Sequence, residues 1–314
     1  MPGKIIQCVC LDANEAVFFT RELEFVKRQT YDIRYPEYLA TILMPVDTSA
    51  GPGAEAIVYH QFDGVGTMKL MASYGDDAPR SDVNGKEFIG PIKPIRGSYG
   101  YSVQDIRNAQ FANRPLKTMK ASNARRVYEQ TLNDWAWFAD GSSKYGGVYG
   151  FLYNPNITKS PAPTGGWTGG ATPDQIIADV NFAINNIVKV TLKTEKADTV
   201  LISTEEYSYI ATTPRSGTSD TTILEFLRRV HPGVSFVQVN ELADVAPAPS
   251  GAAGPLNLLI AYKRASDKFE LAVPQPFEQF PPQERNMEFV INTHARIGGV
   301  LYYYPLSCHI VEGI

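Results

Sequence analysis

TMKASNARRVYEQTLNDWAWFA, residues 118–139, is the longest stretch of the chain with a sustained helical period, and the architecture is read outward from it. Ala124, Val127, Tyr128, Thr131, Leu132, Trp135 and Phe138 recur at steps of three and four, so one helix face is apolar. Thr118 can serve as N-cap, and Gly141 stands where the helix should stop. At about 1.5 Å per residue the helix is roughly 33 Å long, enough to form the spine of a domain. Arg114, Lys117, Lys120, Arg125 and Arg126 crowd its start, as a solvated face or as an electrostatic contact to a neighbour or nucleic acid.

Residues 141–172 are rich in Gly, Pro, Ser and Thr and mark the clearest boundary. Beyond it, Thr172 caps a helix that starts at Pro173 and runs to about Thr191. Ile176, Ile177, Val180, Phe182, Ala183, Ile187 and Val188 are its buried positions. A strand at Thr199–Ile202, a helix capped by Thr204, a helix at Thr221–Val230 and a strand at Val234–Val239 follow, an alternation that indicates an α/β layer. Asp244–Pro255 reads as a loop. Leu256–Tyr262, Phe269–Val273, Met287–Ile291, Gly299–Tyr304 and Cys308–Val311 read as strands, and Pro274–Pro282 as a break.

Towards the N-terminus, Asn14–Thr30 reads as a helix whose apolar residues spread over several faces. Ala54–Phe62 partly alternates, Asp63-Gly64-Val65-Gly66 reads as a hairpin turn, and Met68–Tyr74 continues in extended form. A polar stretch, Gly75–Asp82, separates this from a run at Lys86–Ile95. The region has little local means of burying its apolar side. Such a ribbon is marginal alone and its edges recruit partners, so it either joins a sheet of its own domain or meets another subunit.

The chain has 314 residues, of which 44% are apolar and 20% charged, which fits a folded protein and excludes disorder. Twenty-nine Lys and Arg against 33 Asp and Glu give a net charge of -4, so no chain-wide basic field draws it to nucleic acid. Cys8, Cys10 and Cys308 are too sparse for a disulfide scaffold, which points to a reducing cytoplasm. No apolar run of about 18 residues and no signal-peptide pattern occur, so neither membrane insertion nor export is expected.

The inventory for chemistry is thin. The four histidines, His60, His231, His294 and His309, form no i, i+4 pair, and nucleophile-elbow, Walker A, H-E-x-x-H and C-x-x-C motifs are missing. Cys8 and Cys10 lack the second pair a metal site needs. Asp76-Asp77 and Glu205-Glu206 are sequence neighbours whose side chains diverge, so they read as solvated turn or helix-start residues. The sequence therefore carries no catalytic, cofactor-binding or metal-binding assignment, and the protein is not expected to be an enzyme.

Several strings, in order, resemble one known family. They are Tyr35-Pro36-Glu37-Tyr38 with Pro45-Val46-Asp47-Thr48, Asp63-Gly64-Val65-Gly66, Asp76-Asp77-Ala78-Pro79-Arg80 and Tyr99-Gly100-Tyr101-Ser102. Gly147-Val148-Tyr149-Gly150-Phe151-Leu152-Tyr153-Asn154, Arg296-Ile297-Gly298-Gly299-Val300, Tyr304-Pro305-Leu306 and Gly313-Ile314 complete the set. The sequence resembles tailed-phage major capsid proteins of the Hong Kong 97 fold, in a branch formerly catalogued as a phage domain of unknown function.

The resemblance implies an α+β subunit with an N-terminal arm (1–50), an extended loop (51–96), a peripheral domain with a spine helix (97–170 and 272–314) and an axial domain (171–271). It implies self-assembly into pentamers and hexamers of an icosahedral head shell, located in the virion and assembled in the host bacterial cytoplasm. That shell encloses double-stranded DNA without sequence specificity, with scaffolding, decoration and portal proteins as further partners and no membrane. Asp76, Asp77, Arg80 and Lys86 are the expected intersubunit contacts, and Gly51, Gly53, Gly64 and Gly66 the expected loop hinges, Gly75 and Gly85 adding adaptable joints. Covalent linkage of Lys69 or Lys86 to Asn286 or Asn292 of a neighbour has relatives as precedent, but no motif selects it. The alternatives are an encapsulin-type bacterial compartment shell, told apart by particle contents, and a hydrolase or transferase with the loop as lid.

Overall fold

Apolar runs without alternation need cover on both faces, and here one mixed sheet is wrapped between two apolar layers. The computed structural model describes residues 36–70, 79–112, 116–217, 220–251 and 254–314. The helix read at Asn14–Thr30 and the residues Cys8, Cys10, Asp76 and Asp77 lie outside them.

A short turn of helix, α1 (Ala40–Leu43), precedes β1 (Val46–Asp47), β2 (Ala56–Val65), β3 (Asp82–Pro91) and β4 (Lys93–Ser102). Then come α2 (Val103–Phe111), the spine α3 (Leu116–Phe138), β5 (Thr158–Pro161), α4 (Pro173–Val190), β6 (Thr199–Ser203), α5 (Thr204–Thr212), α6 (Ile223–Val230) and β7 (Ser235–Val239). The chain closes with β8 (Leu258–Tyr262), β9 (Phe269–Ala272), β10 (Gln275–Gln279), β11 (Gln283–Arg285), β12 (Glu288–Ile297), β13 (Gly299–Tyr302) and β14 (Cys308–Glu312).

Local chemistry sets the helix starts. Ser102 Oγ accepts from the Asp105 amide at 3.0 Å while Asp105 accepts from the Ser102 amide at 3.1 Å, a reciprocal cap on α2. Thr222 and Glu225 repeat it on α6, and the Thr172 amide donates to Gln175 at 2.8 Å beside Pro173 at the start of α4.

The central sheet runs β5-β14-β8-β6-β7, parallel at β5/β14 and β6/β7 and antiparallel between. The period of two divides its side chains. Val200, Ile202, Leu259, Ala261 and Val311 pack with Ile176, Val180, Ala183 and Ile187 of α4 and with Ile210 and Leu227. Leu201, Leu258, Ile260, Tyr262, Cys308 and Ile310 face the other way, onto Leu132, Ala136 and Trp137 of α3 and onto Phe151. Each such fully buried side chain contributes roughly 1.5–3 kcal/mol. Smaller sheets, β1-β9-β13 and β4-β12 with β10 and β11, flank this core.

Several expectations need correction. The spine is already helical at Leu116, since Leu116 and Lys117 are good helix formers ahead of Thr118, and it ends at Phe138, before Gly141. No turn occurs at Asp63–Gly66: β2 continues through Asp63 and Gly64 opposite Asn84 and Val83, because a ready partner strand extends the ladder. Pro274–Pro282 is not simply a break, since β10 pairs with β12 there. Pro276 is accommodated by the register shift between Gln275 and Glu278, where a missing N–H costs no ladder bond.

Glu206 does start a helix but is fully buried; it accepts from Ser203 Oγ and, at 2.8 Å, from Asn257 Nδ2, which satisfies the carboxylate. Phe182 of α4 is exposed rather than buried, and its ring edge meets His309 at 5.6 Å. Residues 158–161 and 308–312 hydrogen-bond into the central sheet.

His309 makes that sheet acid-sensitive. It is buried in β14 with Nε2 2.9 Å from Ser160 Oγ, and burial pushes its imidazole below the usual histidine range. The native state then binds fewer protons than the unfolded chain, so stability is present above pH about 6.5 and is lost as pH falls below it. Denaturant unfolding of the free subunit should lose up to about 1.4 kcal/mol per pH unit there through this group, and His309→Gln should flatten that slope.

Candidate assembly surfaces

Strands β2 and β3 form a two-stranded ribbon ten residues long that, among the described residues, joins no other sheet. The pleat places Val58, His60 and Phe62 on one face with Ile89, Glu87 and Val83 of the partner strand. All four apolar members, Val58, Phe62, Val83 and Ile89, are exposed, Phe62 by 71%. His60 Nε2 lies 3.7 Å from Glu87 Oε2 between them. Past the ladder, Met68 and Leu70 stand in solvent at 102% and 94% exposure. Apolar side chains left exposed in this number on one ribbon mark an interaction site.

The opposite face anchors the root of the ribbon. Tyr59 stacks on Phe88 at 5.2 Å, meets Tyr303 edge-on at 4.9 Å and donates its hydroxyl hydrogen to the Tyr302 carbonyl at 2.9 Å. Tyr303 donates to Glu270 at 3.0 Å, and burial raises both the Glu270 carboxyl and the Tyr303 phenol above their ordinary ranges. Gly90 allows the close approach, since a Cβ there would sit 2.3 Å from Leu301 Cδ2. This aromatic anchor escapes sequence reading, because nothing local pairs Tyr59 with a strand more than 200 residues away.

Of the other expected site residues that the structure describes, Arg80, Lys86, Gly64 and Gly66 lie in or beside the ribbon and Gly51 and Gly53 precede it. Arg80 and Lys86 are exposed but on different parts of it; Lys86 sits opposite Gln61 with its ammonium 4.9 Å from the Phe88 ring centre. Gly51, at φ +72°, and Gly53 have open space around them, and the Arg296 guanidinium donates to the Pro52 carbonyl between them. Gly64 is held in the ladder opposite Val83, and Gly66 packs so tightly that a Cβ would lie 2.7 Å from that of Ser81.

A second surface lies along the spine. Only Leu132, Asn133, Ala136 and Trp137 of α3 are buried, whereas Met119 and Val127, on the apolar stripe, are exposed. That first half borders a groove of about 570 Å³ whose far wall is β4 and β12, with Ile95, Phe277 and Ala295 among its lining residues. The basic start of the helix is partly occupied: Lys120 donates to the Gly100 carbonyl at 2.6 Å, and Arg125 pairs with Glu129 at 3.0 Å.

The described residues contain no group of three or more His, Cys, Asp or Glu that could hold a metal, and no helix long and apolar enough to cross a membrane. Cys308 is a buried free thiol, its pKa pushed up by burial.

The spine helix, the free ribbon and the layered central sheet together define a virus-shell subunit of the Hong Kong 97 type. The capsid of Myoviridae phage XM1 superposes with a TM-score of 0.83 at 15% identity, over 95% of this chain and 99% of that one. A chain of Mycobacterium phage Ogopogo gives 0.63 at 11% identity, covering 95% and 99%, and the capsid of the native GTA particle gives 0.62 at 9% identity, covering 96% and 99%. No curated protein matches the sequence. The family profile described as "Major capsid protein" matches residues 66–314, and the chain belongs to that family. It is a head-shell protein of the tailed-phage kind, and the bacterial-compartment alternative has less support.

Proposed function

We propose that the chain closes by itself into an icosahedral shell of pentamers and hexamers around double-stranded DNA held without sequence specificity, and that it has no enzymatic role. The exposed apolar face of the β2–β3 ribbon carries this reading, because a ribbon face left uncovered by its own body needs a neighbour to cover it. Residues 1–50 serve as arm, 51–96 as the extended loop over the neighbour, 97–170 with 272–314 as the peripheral domain, and 171–271 as the axial domain. Gly51 and Gly53 act as joints at the root of the loop. Asp76, Asp77, Arg80 and Lys86 make intersubunit ion pairs, each modest alone and multiplied by symmetry. Assembly takes place in the host bacterial cytoplasm, with scaffolding, decoration and portal proteins as partners.

The purified chain should form hollow shells, or rings of five and six, by light scattering and electron microscopy. Phe62→Ser with Ile89→Ser should leave the subunit folded and raise the concentration needed for assembly at least tenfold, each removed apolar contact being worth about 1–2 kcal/mol. A chain that stays monomeric at high concentration with scaffold supplied would overturn the reading.

A further inference from the structure

Several cation clusters carry their own counter-charge. Arg125 pairs with Glu129, and Lys263 and Lys268 share Glu195 at 3.0 and 2.6 Å. Arg215 and Arg229, around α6, do not. The Arg215 guanidinium lies 3.9 Å from the centre of the Phe226 ring, and that of Arg229 lies 5.7 Å from it. The two charges are therefore no more than about 10 Å apart, near one Debye length at physiological salt, so each feels the other. Among the described residues no carboxylate pairs with either. Glu225, one turn before Arg229, is placed to do so, yet its carboxylate reaches back to the Thr222 amide as part of the cap on α6. Arg228 turns aside and donates to the Tyr207 hydroxyl at 3.0 Å.

The backbone under the two arginines is fixed. The Arg215 amide donates to the Thr221 carbonyl at 3.0 Å beside the Pro214–Thr222 bridge, and Arg229 sits in the last turn of α6. Both side chains are exposed, and a guanidinium held over a ring keeps its N–H donors for an outside acceptor. A carboxylate offers one charge and two oxygens, which a single arginine takes up. Inorganic phosphate carries up to two charges on one centre, and successive phosphates of a nucleic-acid backbone supply two in a row. The net charge of -4 gives the chain no general pull on such anions, so a site for them has to be local.

We propose that Arg215 and Arg229, aligned on Phe226, form a binding site for phosphate groups, supplied by free inorganic phosphate or by a nucleic-acid backbone. The site goes beyond the shell reading and is tested on the free subunit, so a chain that never assembles leaves it standing.

The test compares the full-length chain with the Arg215→Gln, Arg229→Gln double variant, whose positions are exposed so that folding should be unaffected. Titration calorimetry with sodium phosphate, against sodium chloride at equal ionic strength, should show saturable binding to the parent that weakens at least tenfold in the variant. Fluorescence anisotropy with a short labelled DNA duplex names the source. Duplex bound by the parent, with a salt slope that falls by about two in the variant, assigns the backbone; phosphate bound and duplex ignored assigns the free ion. No saturable binding of either probe by the parent, or equal binding by parent and variant, would overturn the site. Loss of shell formation in the variant with its phosphate affinity unchanged would give the arginines to a carboxylate of a second copy and overturn it too. Should the variant unfold, hydrogen exchange on the unsubstituted chain decides: amides of 221–230 slow with phosphate and not with chloride if the site binds it, and equal exchange refutes it.

Discussion

Gly299→Ala is expected to cost the subunit roughly 3–5 kcal/mol, a large part of a typical domain's stability of about 5–15 kcal/mol. Gly299 joins β12 to β13 at φ +70°, a conformation any side chain resists, and its Cβ would lie 2.2 Å from Val148 Cγ1 and 2.5 Å from the Tyr149 carbonyl oxygen. One of those neighbours is backbone, and it cannot step aside: the Val300 amide donates to the same carbonyl at 2.8 Å. Denaturant titration of the soluble subunit would measure the loss. A midpoint within error of the parent would refute the account. Gly64→Ala is the control, since it lies in the ribbon with nothing within 4 Å and should change subunit stability little.

Phe151→Ala should cost about 3–5 kcal/mol by a different route, the cavity it leaves. Phe151 is 1% exposed, and its ring meets Trp137, Tyr262, Phe269 and Tyr302 at centroid distances of 5.5, 5.4, 5.4 and 5.7 Å. Those four come from the spine, the central sheet and the β9–β13 pair, so one ring ties three elements together. Edge-to-face pairs add to area burial, and the loss should exceed that of Leu132→Ala, a smaller buried side chain of the same cluster without a ring to pair. Thermal unfolding of the two variants side by side would check the order; equal shifts would count against the hub role.

Much of this core was legible in the sequence because its signals are local. Thr172, Pro173 and the apolar positions of α4 announce a helix wherever it packs, and the uninterrupted runs at Val200–Ile202 and Leu258–Tyr262 announce strands covered on both faces. The ribbon was legible as extended but not in length. Asp63-Gly64 has turn chemistry, and only the presence of a partner strand makes it ladder. Glu206 shows a similar limit. Its neighbour Glu205 is the solvated one, and which of two adjacent carboxylates is buried depends on Asn257, far along the chain. The assembly surfaces were the least legible. Phe62 and Val127 look like core residues in sequence, and their exposure emerges only from the fold.

The place of β14 in the central sheet bears on how the polypeptide emerges from the ribosome. Cys308–Glu312 lies between β5 and β8 and bonds to both, so each of those strands keeps an open edge until almost the whole of the described sequence has been made. The β8-β6-β7 portion can form early, but β5 must wait, and translation delivers residues at only about 5–20 per second. During that interval the nascent chain offers the unpaired edge of apolar β8, beside a polar β5 with no partner, in a cell filling with identical nascent chains. Such a chain would gain from chaperone shelter in synthesis, before any shell exists to join.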